Sequence, residues 1–272
     1  MDIAQFVSQM STTDVLMLKI ALGSLFGLCL GLTGVGGGVL LIPMLQLFCG
    51  MPTVLAVGTA SLISAMVKIN ASIVHVKAKN VSWRQVGLLF IGAVPITILV
   101  TQIVVYFNQH PVHADLTQSL ISALVIIVMV GSLLSVLMNI KPKAKAHDLS
   151  DEKPVRGYKA LVSGMFCGSV LGSTGVGGGV LLLPVLNNVL RLDIKKSIGS
   201  SVVLALFLST VAAIGYAKGG QADTITAVWF VVGSFIGVPA AAWLMKRLSD
   251  KALYLITISV ISVSLVMYIS AF

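Results

Sequence analysis

The sequence predicts an all-α polytopic membrane protein: two inverted repeats of five segments each, with short discontinuous or re-entrant Gly-rich helices. Three observations carry this expectation. Apolar residues make up 57% of the 272-residue chain and charged residues only 10%, with a mean hydropathy of +1.03. That is too little charge to cover a soluble domain. Several apolar stretches approach the ~20 residues that cross a ~30 Å hydrocarbon layer as a helix, and the polar–apolar alternation of a membrane β-barrel is not visible. Finally, one fifteen-residue phrase is written twice. Gly31–Leu45 reads GLTGVGGGVLLIPML and Gly172–Leu186 reads GSTGVGGGVLLLPVL, identical at 12 of 15 positions with a constant offset of 141.

Apolar segments are expected at 15–31, 37–49, 54–76, 85–107 and 116–138. After a polar stretch they recur at 158–172, 178–190, 197–217, 225–245 and 252–271. This divides the chain into an N-terminal repeat (1–138), a basic linker (139–157) and a C-terminal repeat (158–272). In the first segment of each half, Gly23, Gly27 and Gly31, and Gly164, Gly168 and Gly172, recur every four residues on one helical face. Such small-residue faces let helices approach closely. The second segments carry Pro43 and Pro184, each of which removes a helix donor. The first two segments of each half are short, so they either cross twice or form a re-entrant hairpin; the prolines favour a dipping, discontinuous pair. Gly58 in the third segment matches Gly199, and Gly92 in the fourth matches Gly233.

The basic residues orient these segments. The linker holds Lys141, Lys143, Lys145, Lys153 and Arg156, with Lys159 just beyond it. Cytoplasmic loops are enriched in Lys and Arg. Placing the linker inside and alternating sides puts Lys77, Lys79, Arg84, Arg191, Lys195, Lys196, Lys246, Arg247 and Lys251 inside as well. That accounts for 15 of 18 basic residues. Both termini then lie outside. Five segments per half give the halves opposite orientation, as in many secondary transporters, whose sites lie near mid-membrane at the repeat interface. Spread over four loops, the net charge of +9 does not form a nucleic-acid face. The N-terminus lacks the basic region of a cleaved signal peptide. Cys29, Cys49 and Cys167 suggest neither a disulfide framework nor a zinc site.

The repeated phrase is almost free of reactive side chains, so its chemistry must come from the backbone. Thr33, Gly34, Gly36, Gly37 and Gly38 pair with Thr174, Gly175, Gly177, Gly178 and Gly179. Glycines this dense disfavour a continuous helix, each costing up to ~1 kcal/mol relative to Ala, and they permit close approach of a ligand. The aliphatic run that follows can start a helix whose free N–H groups point into the gap, a neutral way to bind an anion. The two threonines add a hydroxyl each. The phrase lacks the Gly-Lys-Ser/Thr ending of a phosphate loop.

Ser61, Ser64, Lys68, Ser72 and His75 are spaced 3, 4, 4 and 3 apart, which places them on one face of the third segment. A lysine this deep usually faces a partner or a cavity, and no Asp or Glu lies deep in any segment. An anionic ligand would suit it. The counterparts Val202, Ala205, Ser209, Ala213 and Tyr216 make the stripe one-sided. Ser200 and Ser201, beside Gly199, are further candidate donors. Gln46 and Asn187 are weaker ones, for ligand contact or for joining helices.

The duplicated TGVGGGxLLxP phrase, together with the chain's size and two halves, resembles the TauE/SafE sulfite exporter family (TSUP permeases). The resemblance covers essentially the whole chain. It implies transport of sulfur-containing anions such as sulfite or organosulfonates across a bacterial inner membrane, with Thr33–Gly38 and Thr174–Gly179 as the turns that cradle substrate. The expectation is therefore a secondary carrier working by alternating access, with an anion-selective channel as the alternative. Its partners would be a small anionic substrate, membrane lipid and a coupling ion, Na+ or H+. No cofactor, metal or nucleic acid is expected. With no intramembrane carboxylate pair, His cluster or Cys-x-x-Cys, the chain is not expected to be an enzyme.

Overall fold

The structure is a computed structural model that describes residues 3–33, 37–138, 157–176, 178–245 and 247–270. The linker 139–156 and the glycine positions 34, 36 and 177 lie outside the described residues. Ten helices follow in order: α1 (Ile3–Thr33), α2 (Gly37–Cys49), α3 (Thr53–Lys77), α4 (Trp83–Gln109), α5 (Pro111–Met138), α6 (Gly157–Thr174), α7 (Gly178–Pro184), α8 (Ile194–Lys218), α9 (Thr224–Met245) and α10 (Asp250–Ser270). No strand occurs among the described residues. Seven of these helices are long and apolar enough to cross a membrane, and α2 is a shorter apolar helix.

The segments read from the sequence reappear with two corrections. Helix α1 begins at Ile3, well before the apolar run, because the polar start carries no Pro or Gly to stop it. The segment expected at 178–190 is α7 followed by a π-helical turn, Val185–Val189. Pro184 has no N–H to give, and the chain there widens to an i→i+5 ladder, with Leu190 N–H donating to Val185 O at 2.9 Å.

The halves are joined by equivalent contacts at the offset of 141. A Cβ on Gly23 would lie 2.3 Å from Phe230 O, and one on Gly164 would lie 2.4 Å from Leu89 O. Likewise Gly92 meets Leu161 O at 2.3 Å and Gly233 meets Ile20 O at 2.1 Å. Helix α1 thus packs on α9 as α6 packs on α4, backbone against backbone. Lipid tails give apolar faces no reason to separate from them, so close dispersion contact through small residues is what holds such helices together. A third pair closes the centre, where Gly58 of α3 lies under Gln221 O and Gly199 of α8 lies under Asn80 O. Reciprocal contacts of this kind are what a twofold relation between like halves produces.

Candidate functional site

The second glycine phrase breaks its helix at Gly175 and Val176, and the start of α2 in the first phrase touches that break. Helix α1 stops at Thr33 and α2 starts at Gly37; α6 stops at Thr174 and α7 starts at Gly178. A Cβ on Gly38 would come within 2.7 Å of both Gly175 O and Val176 Cγ2, so the start of α2 rests on the second break. Gly175 sits at φ +64°, the left-handed region that glycine reaches without the Cβ penalty. It also faces α3 closely, with Ser61 Oγ 2.9 Å and Val57 O 3.0 Å from where its Cβ would be.

Lys68 joins this group from below. It is only 9% exposed, and its Nζ donates to Ser64 Oγ. Helical side chains lean toward the N-terminus of their helix. The ammonium is therefore drawn back one turn toward Ser61 and the second break. Gly38 thus meets Gly175, Gly175 faces Ser61, and the Lys68 ammonium reaches Ser64 on the same helix α3.

The remaining candidates are placed differently. The hydroxyls of Thr33 and Thr174 donate to Cys29 O at 2.7 Å and Val170 O at 2.6 Å. Both protons serve the last turn of their own helices, and Thr174 Oγ1 also accepts from Val176 N at 3.2 Å. They shape the break and do not aim a donor into it. Ser61 Oγ bonds Val57 O at 2.9 Å in the same way. Ser200 is a tie between helices, its Oγ accepting from Ser82 N at 2.9 Å. Its counterpart Thr59 accepts from Asp223 N at 2.9 Å. Ser201 donates to Ile198 O at 2.8 Å. Gln46 reaches Thr53 Oγ1 at 3.0 Å and Asn187 reaches Leu192 O at 3.1 Å, so both steady the turn after their helix. Gly37, Gly178 and Gly179 are the first residues of α2 and α7.

Two features escaped the sequence reading. Thr97 Oγ1 donates to Gly168 O at 3.1 Å, and Tyr216 Oη donates to Gly172 O at 2.7 Å. Both bind carbonyls of α6 just before the second break. The four-residue spacing of Thr97 and Thr101 was the visible signal for the first. Nothing local announces Tyr216, whose partner is 44 residues away.

A void of about 10 Å³ lies against the first break, lined by Phe26, Cys29, Thr33 and Val39 among others. That is room for a single water. An open groove of about 390 Å³ runs beside Gly31, Val238, Ala242 and Met245.

These features meet the comparison with known proteins at one point. The pattern defining the sulfite exporter TauE/SafE family matches residues 19–268. The chain belongs to that family. Its relatives include two proteins of Bacillus subtilis (strain 168). The probable membrane transporter protein YjnA is 27% identical over 90% of this chain and 96% of its own length. The probable membrane transporter protein YunE is 23% identical over 88% and 92%. The probable membrane transporter protein MJ0441 of Methanocaldococcus jannaschii is 24% identical over 80% and 78%. No solved structure matches. This TauE/SafE chain is a multi-pass membrane protein of a transporter family.

Proposed function

We propose that this TauE/SafE protein is a secondary transporter that moves a small sulfur-containing anion, of the sulfite or organosulfonate type, across a bacterial inner membrane. The contact between Gly38 and Gly175, with Lys68 drawn toward it, is the observation that carries the reading. Two full crossings of opposite orientation would leave their breaks at opposite faces, ~30 Å apart. Breaks that touch fit two hairpins dipping from opposite faces and meeting inside the layer. Backbone N–H groups at such a break hold an anion without a fixed charge. Lys68 supplies one cation, which a passing anion neutralises.

The small void beside Thr33 supports a carrier over a channel: among the described residues it holds about one water, and a sulfite-sized solute would enter as the helices part. Helices joined through glycine faces can slide against each other at little steric cost. No nucleotide loop is present in the sequence, so a substrate or ion gradient, with Na+ or H+ as the coupling ion, drives the movement.

Flux of ³⁵S-sulfite, thiosulfate, sulfate and C2 sulfonates into proteoliposomes tests the reading. Trans-stimulation by the same anion is expected, and currents far above carrier turnover would point to the channel. Lys68→Met removes one charge-assisted hydrogen bond, worth roughly 1.5–3 kcal/mol. We expect KM to rise about 10- to 100-fold. An unchanged KM removes Lys68 from the site, and zero flux for every anion removes the function.

A further inference from the structure

The two flanks of the molecule are chemically alike in their backbone contacts and unlike at one pair of ends. On the second half, the last turns of α8 close onto α4 and α6. Tyr216 is fully buried and bonds Gly172 O at 2.7 Å, and Thr101 Oγ1 bonds the same carbonyl at 3.4 Å. A Cβ on Gly215 would meet Thr101 Cγ2 at 2.6 Å. At the offset of 141, the corresponding residues are Val74 and His75 on α3, Gly31 on α1 and Ala242 on α9. There the seal is missing. Val74 is 64% exposed, His75 Nδ1 is buried without a partner, and the groove beside Gly31, Val238 and Ala242 is open. Val238 and Ala242 stand where Thr97 and Thr101 stand on the closed flank.

Polar side chains follow the same asymmetry. On the open flank α3 presents Lys68, Ser72 and His75, spaced four and three apart and so on one helical face. On the closed flank the same positions are Ser209, Ala213 and Tyr216. Ser72 is 5% exposed and its Oγ has no hydrogen-bond partner. A buried hydroxyl left unpaired costs free energy that a bound ligand would recover. A hydroxyl and an imidazole nitrogen, both unpartnered and both able to donate, with the Lys68 ammonium further up the helix, point to an acceptor-only solute with several oxygens. Lys77 follows at the exposed end of the same helix and draws such a solute inward.

We propose that Ser72 and His75 form a second anion station, one turn and more below the Lys68 ammonium on the same face of α3. An oxyanion or sulfonate pauses there between the C-terminal end of α3 and the glycine breaks, while Tyr216 seals the equivalent route on the other flank. The proposal rests on the transport reading above and adds to it a route, a station and a closed gate. Passage alternates when the Tyr216 seal opens and the first-half ends close.

The test uses the full chain in proteoliposomes. Ser72→Ala combined with His75→Phe should raise KM about fivefold or more for each anion the unmodified protein carries, with kcat little changed. In a chain whose three cysteines are replaced, Ser72→Cys or His75→Cys should react with a membrane-impermeant maleimide added on the side of the α3–α4 loop. Sulfate, thiosulfate or 2-hydroxyethanesulfonate, whichever the protein carries, should slow that labelling severalfold. Ala213→Cys, the equivalent site under the Tyr216 seal, should stay unlabelled when the same reagent is added on its own side, that of the α8–α9 loop. An unchanged KM overturns the station, as does labelling that transported anions do not slow. If the double variant fails to fold, the cysteine reporters decide alone. Zero flux of every anion in the unmodified protein overturns the transport reading itself, and the station with it.

Discussion

Gly175 and Gly220 share a backbone conformation and differ in their surroundings. Their φ angles are +64° and +69°. A Cβ on Gly175 would lie 2.9 Å from Ser61 Oγ and 3.0 Å from Val57 O, whereas one on Gly220 would meet nothing within 4 Å. Alanine in the left-handed region costs roughly 1–2 kcal/mol at either position. Forcing a methyl group against the backbone of α3 adds about 1–3 kcal/mol at Gly175 alone. Gly220→Ala should therefore lose roughly 1–2 kcal/mol and Gly175→Ala roughly 2–5 kcal/mol. Equilibrium unfolding in mixed micelles, read by tryptophan fluorescence, measures the difference. The same pair separates stability from function. Gly175→Ala pushes Ser61 off the break and should abolish anion flux per folded molecule, and Gly220→Ala should retain it. Equal destabilisation by the two substitutions would refute the claim that the second break is pressed against α3.

Three further outcomes are expected. Ser200→Ala takes the acceptor from Ser82 N–H and should cost about 1 kcal/mol while leaving the anion KM unchanged, as flux and unfolding measured together would show. Tyr216→Phe loses the bond to Gly172 O and should also cost about 1 kcal/mol, and the seal it loosens should raise labelling of Ala213→Cys. Asp223 begins α9, accepting from Thr226 N at 3.0 Å and Thr226 Oγ1 at 2.5 Å. Burial works to raise its carboxyl, but these hydrogen bonds, the Lys19 ammonium and Ile225 N–H together hold it below the usual carboxylate range. Its stabilisation is present above the unfolded carboxylate value of about 3.9 and is lost as pH falls through the lower folded value. Asp223→Asn should cost about 0.5 kcal/mol at pH 7, a gap that closes below about pH 4 in unfolding measured at both pH values.

Composition was enough to read the membrane class and the apolar helical segments, because lipid imposes length and apolarity on every crossing helix. The glycine face of α1 was equally legible, since a period of four needs no partner to be seen. The start of α1 was not, because polar residues end a membrane span without ending a helix. Neither was the π turn after Pro184, since Pro43 sits at the same place in α2 without one. The stripe on α3 marked a lysine deep in an apolar segment, but spacing alone could not say where its ammonium leans. Thr33, Thr174 and Ser200 looked alike as donors. Only their neighbours revealed that their hydroxyl groups are already engaged with helix carbonyls and a neighbouring helix start. Periodicity and composition are properties of the chain, so the sequence determined what each segment is. Which backbone carbonyl lies 2.7 Å from Gly38, and that Tyr216 closes one flank while His75 leaves the other unsealed, depend on residues far apart in sequence. Packing in three dimensions decided them, because a hydrogen bond or a steric contact exists only once both partners have been brought together.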